Sequence, residues 1–546
     1  MKQMQPVSGS RDVVIVGSGH NGLIAAAYLA AAGKSVLVLE RGSQLGGATI
    51  SRQVFPDYEA WLSRYSYLVS LLPDQIVSDL RLNFRTLRRR VSSYTPWHDA
   101  RGRQRGLLLF PDDQQRSRES MEELPGGGEE WRGYLKFSAL QSELAALIAP
   151  SFLQPLQTRR QFQQQLRTQE QCEAWDSFVE RPLGEAIERY LFTDTVRGLV
   201  MTDGKIGVLA GPHDTDLLQN RCFLYHICGN GTGEWRVPEG GMRALTGALM
   251  QRCMEAGVEL CTESPAVRVE PGTKWHRVTW LHEGREYGID AGAVLLNAGP
   301  RTTASLLGQT WQAADRDEGS VIKINMLLQR LPRLKDRDVS AQDAFAGTLH
   351  IDEGYAQMLD SYRLATAGQI PDPAPGEIYC HTLTDPSILS PALQAAGFHT
   401  LTLFGLDMPW RLFEDAHDER RQLVLSRYLD GLNRLCAEPI QDCLARDASG
   451  SMCLEIHTPQ DLQHELDLDR GNIFHNQPSW FFTDDVAVAG RRGCRHVCAR
   501  GHLPDGRTRS ARRAVARPHT RTRPSGGVES LHLSGYCLTQ SVVAQN

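Results

Sequence analysis

The sequence predicts an α/β fold in which one domain is interrupted by a second domain of α+β character. Three observations predict it. A strand, glycine loop, helix and strand follow one another over residues 12–48, and a second glycine-led helix with a run of strands occupies 238–300. Long stretches of different pattern lie between and after them. At 546 residues the chain exceeds what one hydrophobic core supports, so more than one domain is expected.

The opening unit reads "DVVIVGSGHNGLIAAAYLAAAGKSVLVLERGSQLGGA". Val13, Val14, Ile15 and Val16 form an apolar run suited to a strand buried on both faces. Gly17, Gly19 and Gly22 then give G-x-G-x-x-G: the first for a tight turn, the second for backbone approach to a pyrophosphate, the third for close packing of helix on strand. Leu23 to Ala32 is alanine-rich and helical, and its N-terminus offers unpaired N–H groups to phosphate. Gly33 stops the helix, and Val36 to Leu39 makes a second strand. Glu40 stands where a carboxylate accepts ribose hydroxyls. Strand, loop, helix, strand and acid in this order predict a Rossmann-like dinucleotide site. The carboxylate disfavours a 2′-phosphate. His20 either lines this loop or caps the helix entrance.

The fingerprint alone does not separate NAD from FAD. The continuation "ERGSQLGGA", with Arg41 and the pair Gly46-Gly47, resembles the E-R-x-x-x-x-G-G element of the flavin oxidoreductase superfamily that includes amine oxidases and phytoene desaturases. That resemblance implies FAD, held by Gly17, Gly19, Gly22, Glu40, Arg41, Gly46 and Gly47.

Further along, "VPEGGMRALTGALMQRCMEAGVEL" places Met242, Leu245, Leu249 and Cys253 at helical spacing between Gly240-Gly241 and Gly257. Val258 to Cys261, "AVRVE", "RVTWL" and "AVLLNAGP" read as strands. In the resembled flavoproteins such a segment re-enters the FAD domain after a long insertion. That implies Val267 beside the adenine, on the strand it shares with Val269, and "NAGP" near the cofactor. "VIKINMLLQRL" alternates, Ile322, Ile324, Met326 and Leu328 on one face and Lys323, Asn325 and Gln329 on the other. The expected division is residues 10–75, 235–300 and 455–490 as a discontinuous FAD-binding domain, with 76–234 and 301–454 as the substrate domain.

Five stretches extend the resemblance over residues 12–490: the glycine-loop unit, "RYSYLVSLLPDQIVSDLRL", "PEGGMRALTGAL", "IKINMLLQRLP" and "TPQDLQHELDLDRGNIFH". Together they resemble the phytoene-desaturase-like flavoproteins, in the branch of pyridine nucleotide-disulphide oxidoreductase domain-containing protein 2. Carotene ketolases share the H-N-G form of the loop, at His20-Asn21-Gly22. The fold this implies is a Rossmann-like FAD-binding domain of amine oxidase and phytoene desaturase type with an inserted α+β substrate domain. The implied activity is hydride transfer from a CH–CH or CH–NH group of an apolar small molecule to flavin. Carotenoid desaturation or ketolation is an alternative, as is flavin binding or regulation without turnover. A cofactor that does the chemistry needs no catalytic triad. By resemblance, Lys323 is a candidate for holding a water near the flavin, as a strand-borne lysine does in amine oxidases, and His475 for the flavin edge.

Composition narrows the rest. Hydrophobic content of 41% and charged content of 23% are those of a soluble globular protein. No apolar run approaches the ~20 residues of a membrane span, and peripheral membrane contact stays compatible with the sequence. The leader "MKQMQPVSGSR" lacks the core of a secretory signal, so a cytoplasmic location is expected, or the mitochondrial matrix in a eukaryote. Twelve cysteines include no C-x-x-C, which excludes a redox-pair disulfide reductase despite the branch's name. No metal site is expected: "GCRHVCARGH" has no common zinc spacing.

The last segment reads differently. Residues 491–525 hold eleven Arg, no Lys and one acid, Asp505, in a chain of net charge −5. A basic run of this kind suits nucleic acid or anionic membrane. Yet Arg, Pro, Gly and Ala are encoded by codons of G and C alone, and the glycine-rich flavin motif of the resembled family is unrecognisable here. A frameshift near 490 accounts for both, so no nucleic-acid partner is expected. It would leave 491–546 a poorly packed basic tail, the flavin side of the site incomplete, and the product of the shifted gene inactive or weak in FAD binding.

Overall fold

The computed structural model describes residues 9–312 and 317–484. The expected motif change after Gly490 lies outside the described residues.

A six-stranded sheet carries the opening unit. Its order is Glu259–Cys261, Val36–Leu39, Ser10–Val16, Arg285–Leu296, His276–His282 and Ala266–Glu270. The first four run parallel and the last two antiparallel. Val13 to Val16 are buried on both faces, which explains their unbroken apolar run. Val13, Ile15, Val36 and Val38 pack under helices His20–Ala31 and Met242–Glu255. Val14, Val16, Leu37 and Leu39 face Val278 and Trp280 on the other side. Met242, Leu245, Leu249 and Cys253 do form the buried stripe of their helix.

A seven-stranded sheet lies elsewhere in the chain, in the order Leu454–His457, Ile322–Leu328, His399–Gly405, Gly376–Tyr379, Thr348–Ile351, Ser93–His98 and Gln104–Leu109. The expected boundary at 454/455 cuts the first of these strands. The alternation read in "VIKINMLL" holds: Ile322, Ile324, Met326 and Leu328 join Leu401, Leu403 and Ile378 in a core against helix His417–Leu435. Lys323 and Asn325 occupy the opposite face, and they too are buried. Residues 114–227 are mainly helical, around a core that includes Phe137, Phe178 and Phe223. Within "CGNGTGEW", Gly229–Gly231 form a single 3-10 turn, and Asn230 Nδ2 ties it to the Leu72 carbonyl at 3.0 Å.

Candidate functional site

The glycine loop sits between the ends of Ser10–Val16 and Arg285–Leu296. Gly17 has φ +96°, and a Cβ there would lie 2.2 Å from the Asn297 carbonyl oxygen. A Cβ on Gly22 would lie 2.4 Å from the Gly17 oxygen. These two glycines therefore let helix, loop and strand touch. Asn297, from "NAGP", donates from Nδ2 to the Gly17 carbonyl at 3.1 Å and so holds the loop from the neighbouring strand. Helix His20–Ala31 begins at Gly19 with no side-chain cap and no acid in its first turn. Its N-terminal N–H groups and partial positive charge suit an anionic ligand.

Glu40 ends the second strand beside this loop. Its Oε2 accepts from Ser18 N–H at 3.0 Å and from Ser18 Oγ at 2.6 Å, and its Oε1 accepts from Gly42 N–H at 2.8 Å. A carboxylate has about four acceptor positions, so one stays open for a sugar hydroxyl. Arg41 turns the other way, donating to the Glu465 carbonyl at 3.2 Å and lying 3.9 Å from Asp467 Oδ2.

Gly17, Gly19, Glu40, Arg41 and Gly47 line one cavity of about 710 Å³. That is within the ~300–1,000 Å³ of small-molecule and cofactor sites. Gly22 and Gly46 lie behind its wall, Gly46 donating its N–H to the Ser18 carbonyl at 3.1 Å. Val267 does not reach the cavity. A bulge between Ala266 and Arg268 turns it to solvent, 42% exposed, and Pro265 and Ala266 line the cavity in its place. Uncapped helix, open acceptor and glycine cradle together fit a dinucleotide.

The same cavity continues among Phe152, Tyr225, Trp235, Val321 and Phe404, residues of the regions read as the second domain and of the joining loop. Lys323 and His475 also line it. Lys323 Nζ donates to the carbonyls of Ser63 and Tyr65 at 2.7 and 2.6 Å and stands 4.8 Å from the Tyr67 ring centroid. Burial pushes its ammonium well below the usual 10.5. His20 and His475 are each lowered to about 4 by burial, His20 also by the charge of His475, so both are neutral near pH 7. His20 bonds Thr49 Oγ1 through Nδ1 at 3.0 Å and lines the cavity; it does not cap the helix. His475 Nδ1 has no hydrogen-bond partner among the described residues.

Sequence reasoning gave no role to Tyr67, which lies over Lys323 and is itself a cavity residue. Its stretch, "RYSYLVS", carried resemblance but no chemical pattern. Among the described residues no group of His, Cys, Asp and Glu is arranged to hold a metal, and no helix is long and apolar enough to cross a membrane.

The NAD(P)-binding Rossmann-like domain family matches residues 15–74. A Mycobacterium tuberculosis protein described as uncharacterised is 43% identical over 477 residues, covering 87% of this chain and 88% of that protein. Pyridine nucleotide-disulfide oxidoreductase domain-containing protein 2 of Rattus norvegicus is 26% identical over 511 residues, covering 86% of this chain and 84% of that protein. Among solved structures, cyclohexylamine oxidase from Brevibacterium oxydans covers 84% of this chain and 86% of its own at 14% identity and a TM-score of 0.47, too loose a likeness to carry an argument. The chain has a Rossmann-like nucleotide-binding domain, is homologous to pyridine nucleotide-disulfide oxidoreductase domain-containing protein 2, and belongs to one family with the mycobacterial proteins.

Proposed function

We propose that this chain is an FAD-dependent oxidoreductase that takes a hydride from a CH–CH or CH–NH group of an apolar small molecule. The observation that supports this most is the single cavity shared by the fingerprint and an aromatic chamber. Gly19 and the start of helix His20–Ala31 would receive the diphosphate, and Glu40 the ribose hydroxyls. FAD, when bound, supplies the hydride acceptor. The chain's own residues do the rest. Phe152, Tyr225, Trp235 and Phe404 would surround an apolar substrate and exclude water. Lys323, pinned by the carbonyls of Ser63 and Tyr65, would hold a water in the cavity through its remaining Nζ position. The expected domain division belongs to this reading, with the substrate bound where the two regions meet.

The experiment is to load the purified chain with FAD, photoreduce it without oxygen, and add dioxygen or a quinone. Reoxidation supports an enzyme. Flavin that stays reduced with every acceptor supports a binding protein without turnover.

A further inference from the structure

The cavity meets solvent at the fingerprint end. Of the described residues that line it, only Arg41 is exposed. The aromatic chamber is closed: Phe152, Val321, Phe404, Phe474 and His226, all lining it, are buried. A dinucleotide held by the glycine loop and Glu40 occupies the same end through which the chamber opens. With that end filled, an apolar substrate needs a second way in.

A second hollow, of about 580 Å³, lies back to back with the chamber. Three segments of the chain contribute to both. Ile206 lines the chamber and Val208 the hollow; Val321 lines the chamber and Glu318 the hollow; Ile473 and Phe474 line the chamber and Asn472 the hollow. The wall between them is one residue thick at Gly207. This glycine has φ +96°, and a Cβ on it would lie 2.5 Å from Phe474 Cε2 and 2.9 Å from Ile473 Cδ1. Gly319 brings the third segment equally close, since a Cβ there would lie 2.2 Å from the Gly471 carbonyl oxygen. The Phe474 ring fills the gap. It belongs to one packed cluster with Val208 and Leu218, which line the hollow. On the chamber side it lies 5.0 Å from the Tyr225 ring.

The hollow differs from the chamber in being polar and open. Thr215, Asp216, Thr366 and Glu414 on its rim are exposed. Glu318 pairs with Arg411, accepting from its guanidinium and, through Oε2, from its backbone N–H at 3.1 Å. Among the described side chains lining the hollow, Asp214, Asp216, Glu318 and Glu414 outnumber Arg411 and Arg470. A cleft lined by an excess of one sign of charge repels ligands of that sign, here anions. Only its inner wall, at Val208 and Leu218 beside Phe474, is apolar.

We propose that the polar hollow is the vestibule of a substrate entrance and that the Phe474 ring is its gate, passing neutral molecules about one ring wide and turning anions away. This rests on the FAD reading above for what fills the fingerprint end. Opening asks only for another staggered rotamer of Phe474, because the ring faces Gly207, which has no side chain to wedge it in place. The closed ring completes the apolar lining of the chamber and keeps the polar vestibule, with its water, out of it.

Two readouts test this. In the first, the full chain is loaded with FAD, photoreduced without oxygen and mixed with duroquinone, a neutral one-ring acceptor. The flavin returns to its oxidised form as the quinone takes up two electrons and two protons. Thr366→Trp fills the rim of the hollow and touches neither chamber nor fingerprint lining, so it should slow reoxidation severalfold with FAD affinity unchanged. Phe474→Ala should speed reoxidation, and the double variant should be slow again. A wild-type rate in Thr366→Trp, or no gain in Phe474→Ala, would overturn the entrance. The second readout needs no flavin. With ADP filling the fingerprint, the neutral dye prodan should still enter the wild-type chamber, and enter Thr366→Trp severalfold more slowly. Equal rates in the two chains, or ADP stopping entry into both, would overturn the entrance as well. A chain that takes up no FAD but passes this second readout would count against the FAD reading alone.

Discussion

Ser18 gives Glu40 both of its donors: the backbone N–H at 3.0 Å and the hydroxyl at 2.6 Å reach the same carboxylate oxygen. The acid at the end of the second strand is thereby aimed by the glycine loop itself. Replacing Glu40 with Ala should weaken FAD binding without abolishing it. A hydrogen bond to a charged group is worth ~1.5–3 kcal/mol, or roughly ten- to a hundredfold in Kd. Titration of flavin-free protein with FAD measures it.

Gly19 and Gly17 should fail in different ways. Gly19 lines the cavity with only Asn297 Nδ2 near its Cβ position, at 3.2 Å. Gly19→Val should lose FAD while keeping most of its thermal stability, because the added side chain meets chiefly the cofactor's place. Gly17→Ala meets a backbone oxygen and an unfavourable φ, so it should cost about 1–3 kcal/mol of stability before any ligand is added. Thermal melts with and without FAD separate the two.

The fingerprint was legible because its central chemistry is local: Gly17, Gly19 and Gly22 fall within six residues, and Glu40 at the end of the next strand meets Ser18. Lys323 was only half legible. The period-two pattern placed it correctly opposite Ile324, but its burial depends on carbonyls from residues 63 and 65, some 260 positions away. Val267 shows the limit of alternation. The pattern sets it on a face with Val269, and a bulge that no residue type announces turns it outward. That Lys323 faces His457 on one side and Phe404 on the other was not legible at all, since it exists only in the register of strands whose pairing is non-local.

Lys323 should leave a pH signature on stability. Its folded-state value lies well below 10.5, so between the two values unfolding takes up a proton. Its contribution is fully favourable above 10.5 and is lost as pH falls through the folded value. Lys323→Met should flatten stability on the alkaline side. It should also cost about 1–3 kcal/mol for each carbonyl left buried without a donor. Denaturant midpoints at several pH values measure both.

Glu455 has a signature of the same sign on the acid side. Burial opposes its charge, but the His457 imidazole 3.1 Å away, a hydrogen bond from Asn325 and the charge of Arg64 hold it at about 2. Its stabilising contribution is present above 4.5 and is lost as pH falls toward about 2. At ~1.4 kcal/mol per unit this is of order 3 kcal/mol at neutral pH. Glu455→Gln should lower neutral stability and shrink the acid transition.

The change of composition after Gly490 predicts that resequencing around codon 490 will reveal a shifted frame. Restoring the alternative frame should then raise flavin content in the purified protein. An unshifted gene whose product holds FAD in full would contradict this and make the arginine-rich segment a genuine feature.

The most direct test of the central claim is a competitive titration of the cofactor-free chain with FAD, NAD and NADP, with Gly19→Val as the control. The account predicts saturable binding of FAD that Gly19→Val removes, and no comparable binding of either nicotinamide nucleotide. Binding of NAD or NADP with no binding of flavin would contradict it.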